Sequence, residues 1–113
     1  MLVVHSEART PEELETLLED ALVLGDPVAL SGLFEPAAIV AHSGRRAHGD
    51  QIATFLARLR GNGFTYVAEP HLVLRARNTA LLVARDSISV VHRAADASWR
   101  FAITAIDPRG TTP

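Results

Sequence analysis

The chain has 113 residues and a mass of 12.2 kDa, which predicts one domain over residues 1–113 with loose tails at residues 1–9 and 109–113. Hydrophobic residues make up 48% and charged residues 21%, a balance that indicates a globular core and excludes a disordered chain. The formal net charge of -2 favours neither nucleic acid nor an acidic membrane surface. Because cysteine is absent, disulfides, thiolate nucleophiles and cysteine-ligated metal centres are excluded.

The sequence carries no targeting signal that we can identify. No apolar run approaches the roughly 20 residues that a transmembrane helix needs. Residues 1–10 lack the basic and apolar regions of a signal peptide. We therefore expect a soluble cytoplasmic protein. All 11 basic residues are arginine, a bias typical of GC-rich genomes, so a bacterial source is expected.

The first helix has clear start and stop signals. Thr10, Pro11 and Glu13 supply a capping hydroxyl, a proline at the first helical position and the glutamate of a capping box. Gly25 is typical of a helix C-terminus. Leucine and alanine residues recur between them at helical spacing and predict the buried face. Three acidic residues are predicted to lie away from that face: Glu15, Glu19 and Asp20.

Two more helices are predicted before residue 64. Asp26 followed by Pro27 begins a short helix, which ends before Pro36 because the residue preceding a proline is pushed out of the α region. A third helix opens at residues 49–50 and ends at the glycine-rich residues 61–63. Residues 37–42 predict a short strand and residues 45–48 a brief edge strand. The Arg45–Arg46 pair is expected to be a solvated turn, and an anion-binding role is the alternative.

The rest of the chain is strand-like. Residues 64–76 contain Pro70, which indicates a sheet edge or a bulge. Residues 79–92 predict one long strand. Residues 98–107 alternate in polarity, as a strand does. Helices followed by strands predict an α+β fold, with three helices packed on one face of a curved antiparallel sheet. Such a sheet forms a cone with an apolar interior, which suits a small hydrophobic molecule.

Three short segments occur in an order that points to a known family. The first segment is residues 21–38, which contain AL, GD and LFEPAA in this order. The second is residues 44–52, which read GRRAHGDQI. The third is residues 98–108, which contain SWRF and IDP. Together they resemble the NTF2-like superfamily, which includes ketosteroid isomerase and the SnoaL-like proteins. Within it they look most like the SgcJ/YybH-type proteins of the DUF4440 group. The resemblance implies a cystatin-like cone over roughly residues 11–108, with one hairpin trimmed between residues 85 and 91.

The resemblance does not extend to the catalytic residues of ketosteroid isomerase. It carries that enzyme's carboxylate base onto His42, its tyrosine onto or near Leu18, and its second aspartate close to Ser89. A leucine cannot donate a hydrogen bond to an oxyanion. We therefore do not expect ketosteroid isomerase activity.

His42 and Asp86 are the candidate catalytic residues. Histidine ordinarily titrates near neutral pH, which suits proton transfer, and His42 shares a strand face with Val40. Asp86 interrupts an apolar run, and a carboxylate beside His42 would orient the imidazole as in an acid–base dyad. The other interpretation is a strand-end histidine bonded to a carbonyl or to water, and a surface aspartate beside Arg85 or in an inter-strand salt bridge.

Several apolar and aromatic side chains are candidates for lining the pocket, although each fits a plain core equally well. They are Leu18, Phe34, Phe55, Tyr66, Trp99 and Phe101. The five histidines show no metal-ligand spacing, so we predict neither a metal nor a cofactor.

Residues 79–91 and 98–106 carry apolar or small side chains on both faces. One face packs on the helices, and a second copy is predicted to cover the other, giving a homodimer through the outer face of the sheet. No nucleic acid or membrane partner is expected. Two functions remain open: cofactor-free acid–base chemistry (isomerase, cyclase or hydrolase type) on a small hydrophobic metabolite, and a non-catalytic ligand-binding or dimerisation module.

Overall fold

The computed structural model of the chain describes residues 7–107. Three helices precede most of the strands, and the helices pack on one side of a six-stranded sheet, so the predicted α+β class is confirmed. The helices are α1 (Pro11–Leu24), α2 (Pro27–Gly32) and α3 (Ile52–Gly61). The strands are β1 (Phe34–His42), β2 (Arg45–His48), β3 (Pro70–Ala76), β4 (Thr79–Ala84), β5 (Ser87–Arg93) and β6 (Trp99–Ile106). Of the predicted tails, residues 1–6 and 109–113 lie outside the described residues. The prediction of a loose tail is wrong at Ala8, which is buried and whose carbonyl oxygen accepts a hydrogen bond from the Trp99 N–H at 2.9 Å.

Local capping signals set the ends of the first two helices, as predicted. The Thr10 hydroxyl accepts a hydrogen bond from the Glu13 N–H at 3.1 Å, and Gly25 ends α1 in the left-handed conformation at φ 63°. Asp26 then caps α2, and its carboxylate accepts from the backbone N–H groups of Val28 and Ala29, both at 3.1 Å. Each cap satisfies amide donors that the first helical turn leaves without a partner.

A glycine makes the turn into α3. Gly49 has φ 49°, and a Cβ atom at this position would lie 2.7 Å from the carbonyl oxygen of Pro36. Only glycine fits this close approach of two backbone segments. The chain then passes through a single 3₁₀ turn (Gly49–Gln51) into α3, which crosses the end of the sheet beside β1 and β2.

The strand order is β2-β1-β6-β5-β4-β3. Four neighbouring pairs are antiparallel, as expected, but β1 and β6 run parallel, so the sheet is mixed. Parallel neighbours need a long connection, which α3 and the β3–β5 meander supply here. The end of β1 therefore lies beside the end of β6.

The prediction of one long strand over residues 79–92 is wrong. The structure divides it into β4 and β5, an antiparallel hairpin in which Thr79 pairs with His92 and Val83 with Ile88. Arg85 and Asp86 form the bend between the two strands, because this polar pair interrupts an otherwise apolar run. Residues 64–69 lie outside the sheet. Pro70 starts the edge strand β3, where its missing N–H removes no ladder hydrogen bond.

The inner face of the sheet carries the core. Val40, Thr104, Ser89 and Leu82 lie in one row across β1, β6, β5 and β4, and all four are buried. The two hydroxyls in this row, those of Ser89 and Thr104, hydrogen-bond to each other at 3.0 Å, so neither polar group is left unpaired. The helices close the core from the other side, chiefly through leucines of α1.

The outer face of the sheet is apolar across five strands. Side chains that pair in register share a face, so the row beside Ile103 includes Val90 on β5 and Ile39 on β1. Four large hydrophobic side chains of this face, Leu72, Leu74, Ile88 and Ile103, are 41% to 55% exposed. We call this surface the outer sheet face; its residues are Ile39, Ala41, Leu72, Leu74, Leu81, Val83, Ile88, Val90, Ile103 and Ala105.

None of the helices within residues 7–107 is long and apolar enough to cross a membrane.

Candidate functional site

His42 lies at the end of β1, on the inner side of the sheet. The parallel register places it beside Ile106, and its Nδ1 atom is 3.2 Å from the Ile106 carbonyl oxygen. Because a carbonyl can only accept, Nδ1 carries the proton in this contact, and Nε2 of a neutral ring is left as an acceptor. The half-buried imidazole packs obliquely on Phe64, with ring centroids 5.6 Å apart. The sequence places His42 on the same strand face as Val40, and the structure shows that this is the inner face.

The structure does not bring His42 and Asp86 together. Asp86 precedes β5, and β6 lies between β5 and β1, so the two residues are separated by two strand spacings, about 10 Å. Asp86 Oδ2 accepts a hydrogen bond from the Val67 N–H at 2.9 Å, and Oδ1 lies 4.0 Å from Arg85 Nε. These contacts agree with the second interpretation of the two residues. His42 is a strand-end histidine bonded to a carbonyl, and Asp86 lies beside Arg85.

Two adjoining cavities form a groove between the β1–β2 hairpin and the C-terminal half of α3. One has a volume of about 470 Å³ and the other about 710 Å³, and both are open to solvent along one side. They share Arg45, Leu59 and Asn62 as walls. The first cavity adds His42, Ser43, Gly63 and Phe64, and the second adds Arg46, Phe55, Arg58 and Gly61. We call the joined space the β1–α3 groove.

Of the six predicted pocket residues, one lines this groove. Phe55 forms part of its wall and is half-buried. The other five are buried in the hydrophobic core: Leu18, Phe34, Tyr66, Trp99 and Phe101. There Phe34 and Phe101 pack with ring centroids 5.0 Å apart. A role of these five as ligand contacts stays a prediction.

Replacement of Leu18 by alanine distinguishes a packed core from an empty interior. Leu18 is fully buried, so Leu18→Ala is expected to lower the free energy of unfolding by about 2–5 kcal/mol. The matched control is Leu24→Ala on the same helix, where the side chain is 76% exposed and the change should stay within about 0.5 kcal/mol. Urea unfolding followed by the fluorescence of Trp99 measures both. A loss below about 1 kcal/mol for Leu18→Ala would mean that this side chain borders an empty space.

Sequence reasoning missed a buried polar cluster formed by Glu15, Tyr66 and Ser87. The Tyr66 hydroxyl donates to Oε1 of Glu15 and lies 2.7 Å from the Ser87 hydroxyl. The second carboxyl oxygen of Glu15, Oε2, is buried without a hydrogen-bond partner. The prediction that Glu15 lies away from the buried face is wrong, since it shares that face with Leu18 and Leu22, three and seven positions along α1. This helical spacing in the sequence could have predicted that Glu15 is buried.

Burial dominates the electrostatics of the cluster. Loss of hydration raises the pKa of Glu15 from 4.5 to about 7, although the hydrogen bonds from Tyr66 and Ser87 act in the opposite direction. The nearby charges of Asp86 and Glu19 raise it further. The pKa of Tyr66 is also raised, first by burial and then by the charge of Glu15. Near neutral pH the cluster therefore takes up and releases a proton at Glu15.

Phe64 separates this cluster from the groove. Its ring lies 5.6 Å from that of His42 on one side and 6.4 Å from that of Tyr66 on the other, measured between centroids. Neither groove cavity includes Glu15 among its walls. In the part of the chain that the structure describes, no group of three or more histidine, aspartate or glutamate side chains is placed to hold a metal ion.

Comparison with known proteins identifies the fold. Neither a protein-family model nor a curated protein sequence matches the chain. Among solved structures, a ketosteroid isomerase-like protein from Erwinia carotovora atroseptica has a TM-score of 0.68 at 16% identity, covering 83% of this chain and 89% of its own. A Thiobacillus denitrificans protein, described provisionally as a calcium/calmodulin-dependent protein kinase type II association domain, has a TM-score of 0.70 at 14% identity, covering 89% and 98%.

A third structure gives the superfamily by name. It is a Streptomyces avermitilis protein described provisionally as a dehydratase of the NTF2-like family, with a TM-score of 0.61 at 21% identity, covering 82% of this chain and 88% of its own. The chain therefore has the fold of the NTF2-like, ketosteroid isomerase-like domains, as the sequence segments predicted. Its assignment to the DUF4440 group stays a prediction.

Proposed function

We propose that this chain is a ligand-binding NTF2-like domain that takes a small hydrophobic molecule into the β1–α3 groove. The observation that carries the proposal is the position of His42 and Phe64, packed obliquely on each other in the wall of a cavity of about 470 Å³. Ligand pockets of proteins commonly have volumes of about 300–1,000 Å³ with apolar walls and few polar groups. Leu59 and Phe55 extend the apolar wall along α3.

The contacts of His42 favour binding over acid–base catalysis. The imidazole is held by a backbone carbonyl rather than by a carboxylate, so it lacks the charged partner of an acid–base dyad. In this arrangement Nε2 accepts a hydrogen bond from a hydroxyl or amide of the ligand. His42 then orients the ligand, and Phe64 supplies the apolar contact.

Acid–base catalysis by His42 is the second candidate function. It is favoured by the Ile106 carbonyl, which fixes Nδ1 as the protonated nitrogen and leaves Nε2 as a base. Under this proposal His42→Gln retains ligand binding and abolishes turnover of any hydrophobic substrate, whereas a purely binding site has no turnover to lose.

We further propose that the domain is a homodimer through the outer sheet face. Four large hydrophobic side chains on one continuous apolar surface support this, because monomeric proteins rarely expose such a patch without a partner. A second copy presents the same apolar surface, so the contact is self-complementary about a twofold axis. The dimer leaves the β1–α3 groove accessible at the edge of the sheet, where β2 lies.

The neutral fluorophore N-phenyl-1-naphthylamine tests ligand binding. We expect its emission to rise on titration with the wild-type chain. Leu59→Ala should weaken its affinity roughly fivefold or more, because the wall loses apolar contact area. Leu24→Ala is the matched control, since Leu24 is exposed on α1 outside the groove, and it should leave the affinity unchanged. Absence of binding, or equal affinity in the Leu59→Ala variant, would contradict the proposal, provided that circular dichroism shows both variants folded.

A further inference from the structure

Among the described residues, three arginines and no acidic residue line the β1–α3 groove. Arg45 and Arg46 come from β2 and Arg58 from α3, and all three line the larger cavity. Among residues 7–107, none of the three side chains makes a hydrogen bond or an ion pair. Arg46 pairs in register with Ala41 of the outer sheet face, so the site is assigned to Arg45 and Arg58. Their like charges repel each other, which an anion in the groove would relieve. The cluster does not reflect an excess of basic residues, since the whole chain has a net charge of -2.

Three arginines outside the groove have partners for their side chains. On α3 itself, Arg60 donates to the Val23 carbonyl at 3.1 Å and so joins α3 to the end of α1. Arg93 donates to the side chain of Asn78, and Arg100 lies 3.8 Å from a carboxyl oxygen of Asp96. Within the described chain, the side chains of Arg9 and Arg77 also make no such contact, so what distinguishes the groove arginines is that they line one cavity together.

Beside these charges the groove has an apolar wall. Phe55 and Leu59 are four positions apart on α3, so their side chains lie on one helix face, and both are half-buried. Arg58 precedes Leu59 and lies at the border of the same wall. The groove thus offers an apolar surface next to a cluster of guanidinium groups within one cavity of about 710 Å³.

We infer that the ligand of the β1–α3 groove is a hydrophobic organic acid, an apolar body carrying one acidic group such as a carboxylate. The inference rests on the proposed function and adds the charge of the ligand to it. The apolar body packs on Phe55 and Leu59, while Arg45 and Arg58 bind the acidic group. Guanidinium groups suit this role because their planar set of N–H donors matches two oxygens of a carboxylate.

A pair of probes that share one skeleton tests this inference. 8-Anilinonaphthalene-1-sulfonate is N-phenyl-1-naphthylamine with one added acidic group, so the two differ chiefly in charge. We expect the sulfonate to bind roughly tenfold tighter at low ionic strength. Salt at about 0.5 M should reduce this advantage and leave the affinity for the neutral probe unchanged or slightly higher. Fluorescence titration measures both affinities.

Variants that each remove one positive charge show which arginines cause the tighter binding of the sulfonate. Arg45→Gln and Arg58→Gln should each weaken binding of the sulfonate roughly threefold, a typical size for an exposed ion pair, and leave binding of the neutral probe unaffected. The matched control is Arg77→Gln, which removes the same charge from the turn between β3 and β4, outside the groove, and should affect neither probe.

Each unfavourable outcome refutes a different statement. If the neutral probe binds and the sulfonate binds no tighter, the acid preference is wrong and the proposed function stands. If Arg77→Gln weakens binding of the sulfonate as much as Arg58→Gln does, the affinity comes from electrostatic attraction to the chain as a whole and not from a local site. The inference is then overturned. If inorganic phosphate displaces the sulfonate at equal concentration, the groove recognises a bare anion and needs no apolar body. Failure of the neutral probe to bind overturns the proposed function itself.

Discussion

Replacing Ile103 by glutamate is expected to convert the dimer into a monomer. Ile103 lies on β6 near the middle of the outer sheet face, with Ile39 and Val90 beside it in register, and 51% of it is exposed in the single chain. In a twofold dimer this position is buried on both copies. Ile103→Glu would then place two unpaired carboxylates in an apolar contact, which costs several kcal/mol for each charge.

Sedimentation velocity measures this result. The wild-type chain should sediment as a species of twice 12.2 kDa and Ile103→Glu as a species of 12.2 kDa. Val28→Glu is the matched control, because Val28 on α2 is 66% exposed and lies outside the outer sheet face. This variant should remain dimeric. A wild-type chain that is monomeric at concentrations of about 10–100 μM, or a dimeric Ile103→Glu variant, would contradict the proposed interface.

Replacing Glu15 by glutamine is expected to stabilise the protein above neutral pH. The pKa of Glu15 is raised from 4.5 to about 7 by burial, so the folded state binds this proton more tightly than the unfolded state does. The stabilising contribution of this proton is complete below pH 4.5. It falls as the pH rises towards 7 and is absent above that value. The raised pKa corresponds to about 3 kcal/mol, an order-of-magnitude value.

The comparison of variant and wild type at each pH isolates this effect, since other titrating groups are common to both. Glutamine keeps the shape of Glu15 and stays neutral, so the variant should gain up to about 3 kcal/mol over the wild type between pH 4.5 and pH 8. Urea unfolding followed by the fluorescence of Trp99 provides the measurement. Glu12→Gln in the exposed first turn of α1 is the control and should show a constant difference. A constant difference for Glu15→Gln as well would mean that Glu15 is charged in the folded protein at neutral pH.

The elements that the sequence predicted well are those specified by neighbouring residues. Thr10 and Asp26 cap α1 and α2 as expected, because a cap depends on donors only two or three positions away. The face of β1 on which His42 lies also followed from strand parity. Strand partners depend on distant residues instead, and the parallel pairing of β1 with β6 had no local signal.

The same distinction explains the errors at the candidate site. A His42–Asp86 contact was one of two interpretations that the residue types allowed. Two intervening strand spacings keep the side chains apart, and these spacings exist only in the assembled sheet. The Arg45–Arg46 pair was expected to be a solvated turn. These arginines share a wall with Arg58 only because α3 packs across the end of β2. The burial of Glu15 could have been predicted from its helical spacing to Leu18.

The ¹H–¹⁵N NMR spectrum of the labelled protein during titration with N-phenyl-1-naphthylamine tests the location of the ligand site most directly. We predict shifts for the backbone amides of Gly61, Asn62 and Gly63, which line the groove, and no shift for the indole N–H of Trp99, which is buried in the core. A shift of the Trp99 indole with unchanged Gly61–Gly63 amides would place the ligand inside the cone and contradict binding in the β1–α3 groove.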